Sequence, residues 1–165
     1  MRRCAAFVLS LSFLYASAAQ SDTVFQLRQT DSGHVDIRSV IATSRELPFD
    51  KKYEEFNPAQ KAILSAMYEH MEEGDEPPFP RDGLEPVIRL IHKAQARYLA
   101  DGDLTLVVEV GEDGVATSVK AIGMPDKELV KFATSVVLLI PYKPARCKGV
   151  PCSQQFPYFF AFETD

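Results

Sequence analysis

Residues 102–162 carry the pattern that most restricts the fold. Leu104, Leu106, Val108 and Val110 alternate with Thr105, Val107 and Glu109, the period of a strand with two different faces. Gly111, Glu112, Asp113 and Gly114 then form a hairpin turn signal, and residues 115–122 read as the return strand. Gly123, Met124, Pro125 and Asp126 end that strand and start a helix. In it Leu129, Phe132, Ala133, Val136, Val137 and Ile140 fall at i, i+3, i+4, i+7, i+8 and i+11, one apolar stripe that Pro141 closes. Phe156, Tyr158, Phe160 and Phe162 alternate down a last strand, where Pro157 has no N–H to donate and implies an edge or a bulge.

Upstream, two helices are expected. Asn57 is a good N-cap, Pro58 suits the first helical position, and Gln60 stands where a capping-box partner would. With Ile63, Leu64, Met67 and Met71 as its apolar stripe, this helix should run to Gly74. Residues 75–83 (DEPPFPRDG) must be extended, because residues before proline avoid the helical region. A second helix is predicted over residues 84–99, with Leu84, Val87, Ile88, Ile91, Ala94 and Tyr98 on one face. Residues 20–56 suggest an extended or hairpin region around Asp31, Ser32 and Gly33. The expected fold is therefore α+β: a three-stranded antiparallel sheet in β-β-α-β order with two preceding helices. The helical lead-in and sheet together occupy residues 57–165.

Residues 1–19 read as a secretory signal peptide. Arg2 and Arg3 precede a short apolar run, and Ala16, Ser17 and Ala18 give the small-x-small pattern of a cleavage site. The alternative is an uncleaved anchor, although the stretch falls short of the roughly 20 residues that span a bilayer comfortably. Secretion leaves Cys147 and Cys152 as an even pair, which reads as a structural disulfide across a tight turn. A redox pair would more usually have two intervening residues rather than four.

The net charge of −5, with no basic run in the sequence, argues against nucleic acid and against anionic lipid. No serine-hydrolase, metalloprotease, dinucleotide or phosphate-loop motif is present, so the expectation is a non-enzyme without cofactor or metal. His70 with Glu73 could supply two metal ligands on a helix, but a solvated acidic helix end explains them as well. The aromatic strand has two compatible readings. Its side chains form core, while its backbone edge accepts a partner strand, giving Phe156, Tyr158, Phe160 and Phe162 as the partner-binding strand.

The ordered set of strand, Gly turn, strand, helix, Tyr142-Lys143-Pro144-Ala145, Gly149-Val150-Pro151 and final aromatic strand resembles the C-terminal domain of TonB-type energy transducers. Pro78-Phe79-Pro80 adds to the likeness, which covers residues 76–163 or so. The resemblance implies a periplasmic protein-binding domain with no cofactor and no catalytic residues. Its partner would be an outer-membrane receptor or another cell-envelope protein, bound by strand addition. Some members of the family pair as strand-swapped dimers, so a homodimer is compatible with it. The alternative is a membrane-anchored divergent transducer for outer-membrane uptake, which requires residues 1–19 to be retained. A transducer also needs a long proline-rich spacer. Residues 20–56 contain one proline, Pro48.

Overall fold

The computed structural model describes residues 25–34, 36, 45–123 and 126–163. The signal-peptide segment lies outside the described residues, as do residues 20–24.

The strand pattern of residues 104–110 becomes the centre of the molecule. Strand β4 (Gly102–Val110) pairs antiparallel with β5 (Ala116–Ile122) on one side and β9 (Gln154–Phe162) on the other, in the order β5-β4-β9. Gly114 makes the β4–β5 turn possible. Its φ of 78° is one that side chains rarely adopt, and an added Cβ would press into the Tyr142 carbonyl oxygen. Helix α3 (Lys127–Leu139) starts where Asp126 Oδ1 accepts hydrogen bonds from Glu128 N at 2.8 Å and Leu129 N at 3.0 Å. It buries Leu129, Ala133 and Val137 and packs against β5 and helix α2 (Glu85–Tyr98).

The expectation of a single three-stranded sheet with two preceding helices is corrected. Among the described residues there are three α-helices and nine strands, and the strands form four antiparallel sheets. Besides β5-β4-β9 there are three two-stranded ladders. Strand β1 (Gln26–Leu27) pairs with β2 (Tyr68–Glu69), and β3 (Phe79–Pro80) with β6 (Tyr142–Lys143). Strand β7 (Ala145–Cys147) pairs with β8 (Val150–Cys152). The first two ladders are two residues long and join distant stretches of chain. A two-residue strand has no period to read, and its existence depends on a partner far away in sequence.

The first ladder also explains why helix α1 (Pro58–Ser65) stops short. The capping box forms as expected: Gln60 N donates to Asn57 Oδ1 at 2.9 Å, and Asn57 N to Gln60 Oε1 at 3.1 Å. The helix nevertheless ends at Ser65 rather than near Gly74. Arg28 takes the carbonyls of the C-cap and the residue after it, donating Nε to Ala66 O at 2.6 Å and its backbone N to Met67 O at 2.9 Å. Tyr68 and Glu69 then enter the ladder with β1, and His70 turns the chain with φ of 61°. A tertiary cap has overridden continued apolar spacing.

One core runs through all of this. Tyr53, in a single 3₁₀ turn (Tyr53–Glu55), and Phe56 pack their rings on Phe79, which meets Phe156 edge-on at 5.6 Å. Phe25 and Leu27 of the N-terminal stretch belong to the same buried cluster.

Candidate functional site

Among the described residues, strand β9 lies at the edge of its sheet, paired with β4 on one side only. The aromatic side chains of the expected binding strand all face inward. Phe156, Tyr158, Phe160 and Phe162 are buried, with Tyr158 stacked on Phe160 at 6.1 Å and Phe160 on Phe162 at 5.9 Å. None of these four is available to touch a partner through its ring, so recognition on this strand is left to its backbone and to Phe159 and Ala161, which are less buried.

Which backbone groups are available follows from the pleat. In a strand the N–H and C=O of one residue point to the same side, and successive residues alternate. The Gln155 carbonyl accepts from the Tyr68 hydroxyl at 2.8 Å, so Gln155 points away from β4. Pro157, Phe159 and Ala161 share that direction. The Gln155 N–H is also occupied, donating to the Gln154 side-chain oxygen at 3.0 Å. Gln154 Nε2 in turn donates to the Phe25 carbonyl. The N-terminal stretch thus closes the first part of the edge. Pro157 has a carbonyl and no donor. Among the described residues, no hydrogen bond reaches the outward groups of Phe159 or Ala161.

Beside this open part lies a cavity of about 140 Å³, lined by Arg45, Leu47, Met67, Leu84 and Ile88 together with β9. The Arg45 guanidinium sits 5.7 Å from the centre of the Phe159 ring. Leu84 and Ile88 come from the first turns of α2, which the proline-bearing extended segment before it delivers to this position.

A charged cluster locks the segment before β3 against β6. Lys143 Nζ lies 2.8 Å from Glu76 Oε2 and 4.2 Å from the centre of the Tyr53 ring. It also donates to the Pro77 and Pro144 carbonyls. Burial lowers the lysine's pKa, and the Glu76 pair opposes that shift. With every donor direction engaged, this lysine serves as a clamp and not as a nucleophile.

Cys147 and Cys152 form a disulfide with Cα atoms 5.8 Å apart. It crosses the β7–β8 hairpin, whose turn is Lys148 and Gly149, both with positive φ. The hairpin is docked on the preceding loop as well. Arg146 and Glu76 exchange backbone hydrogen bonds at 2.8 Å, Lys148 N donates to Asp75 Oδ1 at 2.7 Å, and Lys148 Nζ pairs with Glu72. The closed loop is short, so replacing both cysteines with serine is expected to cost no more than about 2 kcal/mol. Urea midpoints of the oxidised protein and the double variant measure this. A loss of more than twice that size would mean that the bridge supports more than its hairpin.

His70 and Glu73 do not share a helix face, because α1 has already ended. His70 Nε2 approaches Glu69 Oε2 at 3.8 Å instead. Among the described residues, no three His, Cys, Asp or Glu side chains are grouped to hold a metal ion. No helix among them is long and apolar enough to cross a membrane. No family model, curated protein or solved structure matches the chain.

Proposed function

We propose that this chain is a TonB-C-like binding protein of the cell envelope, secreted across the inner membrane, that takes an extended segment of a protein partner onto the free edge of β9. The observation that carries the reading is the stretch from Pro157 to Ala161. Its outward backbone groups have no partner among the described residues, and an apolar cavity with one arginine adjoins them. Strand addition draws affinity from main-chain hydrogen bonds and specificity from such adjoining pockets. The path β4, β5, α3 and then β9 supports the likeness to the TonB C-terminal domain, with β6 to β8 interposed. Binding rather than catalysis is the activity in this reading.

The test is photo-crosslinking in intact cells. A benzoylphenylalanine at exposed Ala161 is expected to give a discrete protein adduct, and one at exposed Glu112 in the β4–β5 turn is not. Phe159→Pro removes the central of the two outward N–H donors in this stretch, leaving that of Ala161, without touching the β4 ladder. It is expected to reduce the adduct at least tenfold while leaving the circular dichroism spectrum unchanged. An adduct at Ala161 no stronger than at Glu112, or one indifferent to Phe159→Pro, would rule out strand addition here. Osmotic shock is expected to release a protein whose first residue is Ala19 or Gln20. A full-length species retained in the membrane would favour the anchored transducer instead.

A further inference from the structure

The second face of the sheet holds a different arrangement. On β4, Thr105, Val107 and Glu109 point away from the side that carries Leu104, Leu106 and Val108. The register places Ile122, Lys120 and Ser118 of β5 directly opposite them. Gln155 of β9 is opposite Glu109 on the other side. All of these but the buried Thr105 line a concavity of about 420 Å³ that His34 borders from the Thr30–His34 turn. That volume is in the range of small-molecule sites.

Its floor is apolar, made by Val107 and Ile122. Among the described residues its walls carry one carboxylate, Glu109, and one ammonium, Lys120, on diagonal positions of neighbouring strands, roughly 7–8 Å apart at the backbone. Long side chains at that spacing can meet, yet these two do not form an ion pair. Neither charged group takes part in a salt bridge or hydrogen bond among the described residues, the Thr117 hydroxyl donating to the Glu109 backbone carbonyl and not to its carboxylate. The Ser118 hydroxyl and the Gln155 side-chain amide also have no hydrogen-bond partner there. A half-buried carboxylate facing a separated ammonium across an apolar floor is complementary to a ligand of reversed polarity.

We propose that this concavity binds a small zwitterion with an apolar side chain, in chemical terms a free aliphatic α-amino acid. Glu109 accepts from the ligand ammonium, and Lys120 donates to its carboxylate. The aliphatic side chain covers Val107 and Ile122, while Ser118 and Gln155 supply the remaining polar contacts. The site is on the sheet face, so it is separate from the β9 edge and can be occupied whether or not a strand is added there.

The test is an NMR titration of the isotopically labelled protein with L-leucine, N-acetyl-L-leucine and L-leucinamide. Leucine is expected to give saturable shifts at the Val107, Ser118, Lys120 and Ile122 amides. Each blocked ligand should bind at least tenfold more weakly, because each leaves one charge of the site without its counterpart. Glu109→Gln should abolish the discrimination against N-acetyl-leucine, and Lys120→Met the discrimination against leucinamide. Both positions are only partly buried or exposed, so both variants should keep the native spectrum. Absence of saturation, equal affinity for the three ligands, variants that keep full discrimination, or shifts confined to Phe159 and Ala161 would each overturn the proposal.

Discussion

Replacing Val137 with Asp is expected to abolish folding at 25 °C. Val137 is fully buried on the face of α3 that joins the core, and its carbonyl accepts the Tyr142 hydroxyl at 2.8 Å. Removing the valine forfeits about 1.5–3 kcal/mol of apolar burial. The carboxylate that replaces it is fully buried and costs several kcal/mol more to desolvate, whether charged or neutralised. The two together approach the whole stability of a typical domain, roughly 5–15 kcal/mol. Leu139→Asp is the matched control, because Leu139 is 84% exposed and its replacement should change stability by no more than about 0.5 kcal/mol. Far-UV circular dichroism and urea titration of both variants give the comparison. A folded Val137→Asp protein with a native midpoint would mean that α3 does not sit on the sheet by this face.

The apolar stripe in the sequence points equally to Val136 and Val137. From that stripe alone Val136→Asp is expected to unfold the protein by setting a charge under the sheet. The structure moves that expectation one residue on, since Val136 is only half-buried. Adjacent helical residues lie about 100° apart, so a stripe of both kinds of position is wider than the surface the sheet can cover.

Alkaline pH should unfold the protein in a single transition between about pH 10 and 12. Four tyrosines keep their protons in the fold to a pH above their ordinary range. Burial raises Tyr53 to about 12, with Glu76 and Glu54 adding to the shift. Burial likewise raises Tyr68, Tyr142 and Tyr158, and the nearby Tyr142 raises Tyr158 further. Unfolded tyrosines ionise near pH 10. Above that value the unfolded chain holds fewer protons than the native one, so stability falls as pH rises toward the folded pKa values. It is fully present below pH 10. Each tyrosine removes about 1.4 kcal/mol per pH unit, and four acting together remove roughly 5 kcal/mol by pH 11.

Lys143 acts in the opposite sense. Its lowered pKa makes stability rise with pH up to about 10.4, the value of a free lysine. That gain is nearly complete where the tyrosine loss begins, and it is one group against four. Absorbance at 295 nm and circular dichroism should therefore change together. Phenolate absorbance from these four residues growing steadily from pH 9.5, with the dichroism native to pH 12, would show that their hydroxyls are accessible in the fold.

Local features were legible because the residues that cause them are neighbours in sequence. Asn57 and Gln60 cap α1, Asp126 caps α3, and the alternation from Leu104 to Val110 produces β4, all through contacts a few residues apart. The Cys147–Cys152 bridge belongs to the same category, since two turn residues bring its ends together. The end of α1 was not legible, because Arg28, nearly forty residues earlier, takes the carbonyl of its C-cap residue. Nor was the condition of the β9 edge. Its first outward residue is satisfied by Tyr68, and Phe25 holds the side chain of the neighbouring Gln154.

The sequence by itself determined the three helices and the three long strands, where most of these begin, and which of their faces are apolar. Those properties rest on backbone preference and side-chain period, which act within a turn or a pleat. Only the tertiary structure decided which strands pair across long stretches of chain, and which backbone groups of β9 have no partner among the described residues. It also decided that Glu109 and Lys120 face one concavity without meeting. Each of these depends on the register between distant segments. Register is set by how the whole core packs, and a one-residue slip would send every one of those side chains to the opposite face.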